Sequence, residues 1–171
     1  VAFKQKLKTY LAHQARMLNK ATVDIRLNTA VTPEYARDLH PDVIIAALGA
    51  RPVKPAIKGI DLMNVMGAED VYYAPEKAGT NLVILGGGLV GIELGIHMAQ
   101  NGRKVSIVEM LPELSVDPFS MHTLALNAQI EALGIRIHTS TDVTEITPNG
   151  ILAIGPGGPL ELSAETVIYA V

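Results

Sequence analysis

The chain predicts an α/β fold, a parallel sheet with helices and an antiparallel β-meander crossover, and three observations carry that prediction. Between Leu85 and Glu109 a glycine-rich turn joins a short apolar run to a helix-spaced stretch and then to a second apolar run, the pattern of a strand–helix–strand unit. Further on, short apolar runs alternate with Pro148-Asn149-Gly150 and Gly155-Pro156-Gly157-Gly158-Pro159, which reads as antiparallel strands joined by tight turns. Finally, Asp42–Pro52 and Glu165–Val171 are two versions of one phrase (acid, apolar run, small residue). So long a spacing points to two related folds rather than to a solenoid.

Taken in order, Phe3 to Leu18 predicts a helix with Phe3, Leu7, Leu11 and Leu18 as a core-facing stripe. Lys4, Lys6, Lys8, Arg16 and Lys20 make its basic, solvated face, with no acid before Asp24. Val23–Leu27 alternates as a strand. Thr32 is placed to cap a short helix over Pro33–Leu39, with proline at its first position. Asp42–Leu48 reads as a buried strand ending at Gly49, and Arg51–Ala68, rich in proline and glycine, as a connector. A short helix over Glu69–Ala74 precedes the strand Asn81–Leu85. Leu89–Asn101 carries Leu89, Ile92, Ile96 and Ala99 at helical spacing and closes at Gly102, and Lys104–Val108 resumes a strand. A second helix over Pro118–Leu133 closes at Gly134, and Ile135–His138 follows as a third parallel strand. Val143–Ile146, Gly150–Ile154 and Leu160–Leu162 form the meander, and Thr166–Val171 is a last buried strand within which the chain stops. The expectation is a piece of a longer protein. In it the first fold lacks its opening strand and glycine loop, and the second is nearly complete from Asn81 to Val171.

The chemistry sits in Gly86-Gly87-Gly88-Leu89-Val90-Gly91, a Gly-x-Gly-x-x-Gly between a strand and a helix. In that context Gly86 permits the turn, Gly88 lets phosphate oxygens approach the backbone, and Gly91 and Gly95 let the helix lie close to the sheet. The helix start adds free N–H groups and partial positive charge, so the unit predicts a Rossmann-like site for the pyrophosphate of a dinucleotide. Glu109 follows Gly88 by about 20 residues, the spacing of a carboxylate that accepts from ribose hydroxyls. Such a carboxylate repels a 2′-phosphate, and the following Met110-Leu111-Pro112-Glu113-Leu114 brings no Arg or Lys to receive one, so NAD(H) is favoured over NADP(H). The plainer alternatives are a glycine turn that binds nothing and a solvated charge at a strand end.

Composition narrows the rest. With 171 residues, 49% hydrophobic and 18% charged, the chain is globular and long enough for one complete domain and part of another. A net charge of −3 argues against a nucleic-acid partner, and no apolar stretch reaches the ~18 residues of a membrane span. There is no cysteine, which excludes a disulfide framework, a Cys-x-x-Cys zinc site or a redox thiol pair within this chain. A cytoplasmic location is compatible with this. His13, His40, His97, His122 and His138 show no metal spacing, and Glu113 and Asp117 read as solvated loop acids. No metal site is predicted.

Together these residues resemble the two-dinucleotide-fold flavoproteins of the pyridine nucleotide–disulfide oxidoreductase superfamily, over essentially the whole chain. The resemblance implies that residues 1–66 are a partial FAD-binding segment and connector, with Ala47 and Gly49 near the flavin. It implies that residues 67–171 are an NAD(H)-binding Rossmann-like domain, truncated at its last strand and inserted in the FAD-binding domain. Gly86, Gly87, Gly88, Leu89, Val90 and Gly91 would hold the pyrophosphate, Glu109 with Met110 the ribose end, and Val143 would flank the adenine. Glu93 matches a glutamate near the nicotinamide that helps align it with the flavin. As a helix-face carboxylate Glu93 could equally be solvated, and as a strand valine Val143 could equally be core.

Phe3-x-x-x-Leu7-x-x-Tyr10-Leu11-x-x-Gln14 and Leu27-Asn28-Thr29-x-Val31-Thr32 are similar to the C-terminal half of NADH:flavin oxidoreductases of the 2,4-dienoyl-CoA reductase type. That similarity implies an old-yellow-enzyme barrel with FMN and an iron–sulfur cluster ahead of this region. NADH would then deliver hydride to FAD for reduction of an activated C=C bond, in partnership with the upstream FAD-binding and catalytic domains of the same parent chain. By itself this piece is expected to bind FAD weakly and not to turn over. A disulfide reductase or NADH oxidase of the same superfamily is the alternative, and a non-catalytic NADH-sensing module is another. What precedes Val1 would separate them.

Overall fold

The computed structural model describes residues 5–114 and 121–171, in two compact units that divide between Arg51 and Pro52. Phe3, Lys4, Asp117 and Pro118, which enter the expectations above, lie outside the described residues.

The unit up to Arg51 is sparse. Helix α1 spans Gln5–Lys20 and α2 spans Pro33–Asp38. The α2 start is as expected, since the Thr32 hydroxyl accepts from the Tyr35 N–H at 3.2 Å and Pro33 opens the helix. Two other expectations fail here. Val23–Leu27 and Asp42–Leu48 form no strand, and Ile45 and Leu48 are 86% and 91% exposed. The apolar stripe of α1 is also open, with Leu7, Leu11 and Leu18 all exposed. The reason is common to both. An apolar run becomes a strand only when neighbouring strands take up its backbone N–H and C=O groups, and among the described residues none pairs with Asp42–Leu48.

The unit Pro52–Val171 holds the predicted α/β architecture. Its elements are β1 (Val65–Gly67), α3 (Ala68–Tyr73), a 3-10 turn at Pro75–Lys77, β2 (Asn81–Leu85), α4 (Leu89–Gln100), β3 (Lys104–Val108), α5 (Met121–Ala132) and β4 (Arg136–His138). They are followed by β5 (Asp142–Thr147), β6 (Gly150–Gly155), β7 (Gly158–Ser163) and β8 (Thr166–Tyr169). Five strands make a parallel sheet in the order β1-β8-β2-β3-β4, and β5-β6-β7 form a separate antiparallel sheet.

The central strands are apolar at successive positions because both of their faces are covered. On one face Leu82, Ile84, Ile107 and Ile168 pack with Ile92 and Ile96 of α4 and Leu126 and Ile130 of α5. On the other, Val83, Leu85, Val108 and Val167 meet Ile146, Ile151 and Ala153 of the meander. Each such fully buried side chain contributes about 1.5–3 kcal/mol of transfer free energy. Pro-Gly chemistry closes the meander: Gly155 pairs with Gly158 across Pro156-Gly157, and Gly158 has φ +102°.

Residues read as a connector belong to this unit. Ile57, Ile60, Leu62 and Val65 pack on the meander-side core. The Lys58 carbonyl accepts from the Ile146 N–H at 2.8 Å, and the Asn64 amide donates to the Thr147 carbonyl at 2.9 Å. The sheet order reverses at β2: the chain goes from β2 to β3 on one side, and β8 returns on the other. In a parallel sheet the crevice beyond the carboxyl ends at such a reversal is where ligands bind.

Candidate functional site

The glycine turn leaves β2 at that reversal. Gly86 has φ +111°, and a Cβ there would stand 2.7 Å from the Ala170 carbonyl oxygen. A Cβ on Gly91 would stand 2.0 Å from the Gly86 carbonyl oxygen, and one on Gly87 would press on Leu114 and Glu109 at 2.7 and 2.9 Å. Gly95 carries the helix–sheet approach, since its Cβ would meet the Ile107 side chain at 3.0 Å. Gly88 is different. Its φ of −74° suits any residue, and an added Cβ would meet nothing within 4 Å. Neither backbone conformation nor packing requires a glycine there.

Gly88 is also the N-cap of α4, and no side chain caps that end. The first N–H groups of the helix therefore lack a side-chain acceptor from their cap and carry the positive end of the helix dipole. Leu89 and Val90 of that first turn are exposed, beside buried Gly91.

Glu109 is not a solvated strand-end charge; it is 7% exposed. One carboxylate oxygen accepts from the Gly87 N–H at 2.7 Å and the other from the Leu111 N–H at 2.9 Å. The carboxylate thus ties the glycine loop to the turn after β3. Each oxygen keeps acceptor capacity beyond that bond, which fits the donors of a ribose diol. Gly86, Glu109, Met110 and Val143 all line one crevice of about 370 Å³, together with Thr141 and Ile57. Val143 also packs on the meander-side core, as a strand valine does. These residues fit a dinucleotide: a loop open at Gly88, an uncapped helix start, a carboxylate with spare acceptors, and an apolar crevice floor.

Glu93 is 6% exposed, so it is not a helix-surface charge. The His122 Nε2 of α5 lies 3.7 Å from its Oε1. On α3, burial first and the Glu93 charge second push the Tyr72 phenol up to about 12. Ala47 and Gly49 lie in the other unit, in exposed chain without regular structure.

Sequence reasoning missed Ile57, Thr141, His122 and Tyr72. The apolar spacing of Ile57, Ile60 and Leu62 inside a Pro/Gly-rich segment was the one available signal; the others reach the site through tertiary packing. A larger cleft, of about 620 Å³, lies at the opposite end of the strands, with Arg103, Lys104, Arg136 and Glu165 on its walls. The cations there follow the C-termini of α4 and α5, where positive charge offsets the helix dipoles. Among the described residues no helix is long and apolar enough to cross a membrane, and no group of three or more His, Cys, Asp or Glu is placed to hold a metal.

Comparison with known proteins agrees with this fold. The chain is 35% identical to an NADH oxidase of Thermoanaerobacter brockii, over 98% of this chain and 27% of that protein. It is 33% identical to a bilirubin reductase of Mediterraneibacter gnavus, over 95% of this chain and 25% of that one. Its fold superposes on a 2-naphthoyl-CoA reductase with a TM-score of 0.77 at 25% identity, over 91% of this chain and 24% of that one. The chain therefore spans about a quarter of the length of the curated relatives it matches. A family model described as pyridine nucleotide-disulphide oxidoreductase matches residues 2–171, and the chain belongs to that family.

Proposed function

We propose that this chain is the NADH-binding part of a flavin-dependent oxidoreductase. The observation that carries the reading is Gly88, a glycine that neither backbone conformation nor packing requires, at the uncapped start of α4. When bound in the parent protein, NADH would supply a hydride, for which FAD would be the acceptor. The residues of this chain bind and orient. The loop from Gly86 to Gly91 and the helix start hold the pyrophosphate through backbone N–H groups, and Glu109 accepts from the ribose hydroxyls. Met110 and Val143 border the adenine end, and Glu93 belongs to the nicotinamide end. Glu109 supports preference for NADH over NADPH, because a 2′-phosphate would face a buried carboxylate with no cation nearby in the turn Met110–Leu114. Holding two reactants in one geometry is the source of rate that such a module supplies.

In the same reading, residues 1–66 contribute to an FAD-binding domain, with Ala47 and Gly49 near the flavin, and residues 67–171 form the NAD(H)-binding domain. The partners are the FAD-binding and catalytic domains of the parent chain, and a cytoplasmic location goes with it. The further step, reduction of an activated C=C bond through an iron–sulfur cluster and FMN, is supported by the lead-in segment Phe3–Thr32 and by the likeness to the 2-naphthoyl-CoA reductase. A simple NADH oxidase is the second reading, supported by the 35% identity to a protein of that name.

Flavin and iron analysis of the full-length protein separates these. FAD with FMN and iron is the expected result. FAD alone would move the assignment to an oxidase or disulfide reductase, and absence of flavin would overturn the proposal in favour of a nucleotide sensor.

A further inference from the structure

The cleft of about 620 Å³ at the amino ends of the strands carries charges that the glycine loop and Glu109, at the other end of the sheet, do not use. Strand alternation sets its wall. Val105 and Ile107 of β3 pack on the helix side of the sheet, so Lys104 and Ser106 face the other side. Arg136 of β4 stands opposite Ser106 in the register and faces the same way, since Ile137 beside it packs on the helix side. The meander covers that side of the sheet over Val83, Val108 and Val167 and leaves Lys104 and Arg136 exposed. Among the described residues, no acid or hydrogen-bond acceptor meets the charged end of either one. The half-buried Ser106 hydroxyl likewise has no protein partner there.

The other charges of the cleft are already engaged. Arg103 donates to the Pro75 carbonyl at 2.8 Å. Glu165 accepts from the Thr80 N–H at 2.6 Å and from its hydroxyl at 2.9 Å, and those bonds hold its carboxyl below the ordinary value. The helix ends do not take up the two free cations either. At α4 the Gly102 and Arg103 N–H groups donate to the Ala99 and Met98 carbonyls, and at α5 those of Gly134 and Ile135 donate to Glu131 and Ile130. The backbone thus closes both ends itself. Each end keeps a charge of about −0.5. Arg103, Lys104 and Arg136 outweigh those two partial charges and Glu165 together, so the cleft is positive in a chain of net charge −3.

We propose that this cleft binds a small polyanion, a molecule with more than one phosphate or carboxylate group, held by Lys104, Arg136 and the Ser106 hydroxyl. Its volume of about 620 Å³ lies within the roughly 300–1,000 Å³ of small-molecule sites. Arg136 offers paired donors to a carboxylate or phosphate, and Lys104 a point charge. The length of β3 separates this site from Glu109, roughly 16 Å at about 3.3 Å per residue. The two sites are therefore distinct, and the inference does not rest on the dinucleotide reading.

The test is calorimetric titration of the full-length protein with citrate and with pyrophosphate, in the presence of excess NADH so that the glycine loop is occupied. At least one of the two is expected to bind with a dissociation constant of about 1 mM or tighter at low salt, and more weakly as sodium chloride screens the exposed charges. Citrate alone would assign polycarboxylates, and pyrophosphate alone polyphosphates. The double variant Lys104→Gln/Arg136→Gln is expected to weaken that binding about tenfold or more. Its NADH affinity should stay within about twofold and its melting temperature within a few degrees of wild type, as for exposed substitutions. Ser106→Ala, which keeps both charges, is expected to weaken the anion about threefold. Binding of neither anion, or anion binding unchanged in the double variant, would overturn the inference. So would anion binding that appears only when NADH is left out. If wild-type protein bound no NADH, the proposed function would fall, and the anion titrations would still decide this inference.

Discussion

Gly88 and Gly91 stand three residues apart and serve different ends. A methyl at Gly91 would meet the Gly86 carbonyl oxygen at 2.0 Å, so Gly91→Ala must displace the loop or the helix. Its expected cost is about 2–4 kcal/mol in denaturant melts, the range of overpacking and backbone strain. Gly88→Ala meets nothing and should cost about 1 kcal/mol at most, through the poorer N-cap, while weakening NADH tenfold or more, about 1.4 kcal/mol. Glu109 ties the glycine loop to the turn after β3 and, in the proposed reading, accepts from the ribose. Glu109→Ala strands the N–H groups of Gly87 and Leu111, an expected loss of about 1–3 kcal/mol, and should narrow the ratio of NADH to NADPH affinity in parallel titrations. Tyr72 reports the Glu93 charge. Its phenol is raised from 10.0 to about 12, so its contribution to stability is full below pH 10 and is lost as pH rises toward 12. In Glu93→Gln an ultraviolet titration should show the phenol ionising lower, yet still above 10 because burial is the larger cause.

At the scale of elements, the strand–turn–helix–strand from Asn81 to Val108 was legible because its signals are local: apolar runs of five, helical spacing and glycine punctuation. The meander was legible through its turns, which need Gly and Pro whatever surrounds them. The strand β1 was not, since Val65–Gly67 is three residues in a Pro/Gly-rich stretch and exists by pairing with β8, Val65 against Val167. Asp42–Leu48 failed in the opposite sense, with the composition of a strand and no described neighbour. The site divides the same way. Gly86, Glu109, Met110 and Val143 follow from motif and resemblance, whereas Thr141 and Ile57 arrive from the β4–β5 turn and the connector by packing alone. Ile151 tests the packing that brings the meander onto the sheet. It is fully buried, and Ile151→Ala should cost about 2–5 kcal/mol without altering the glycine loop's sequence or geometry.

For the molecule as a whole, the unit from Pro52 to Val171 is a sheet covered on both faces, with the candidate crevice at the carboxyl ends. His138 closes β4 beside that crevice. Burial first and the Arg136 charge second lower its pKa from the ordinary 6.5. The neutral form is favoured on folding, so its contribution to stability is full above pH 6.5 and is lost as pH falls through the lowered folded value; melts taken from pH 7 to pH 5 should show that slope reduced in His138→Asn. The central claim is that the crevice and glycine loop hold NADH, and the most direct measurement is the NADH dissociation constant of full-length wild type beside that of Gly88→Ala, with matched thermal melts. The account predicts melting temperatures within a few degrees of each other and at least about tenfold weaker binding in the variant. Equal melting temperatures with equal affinity would contradict it, because the open space at Gly88 would then receive no ligand.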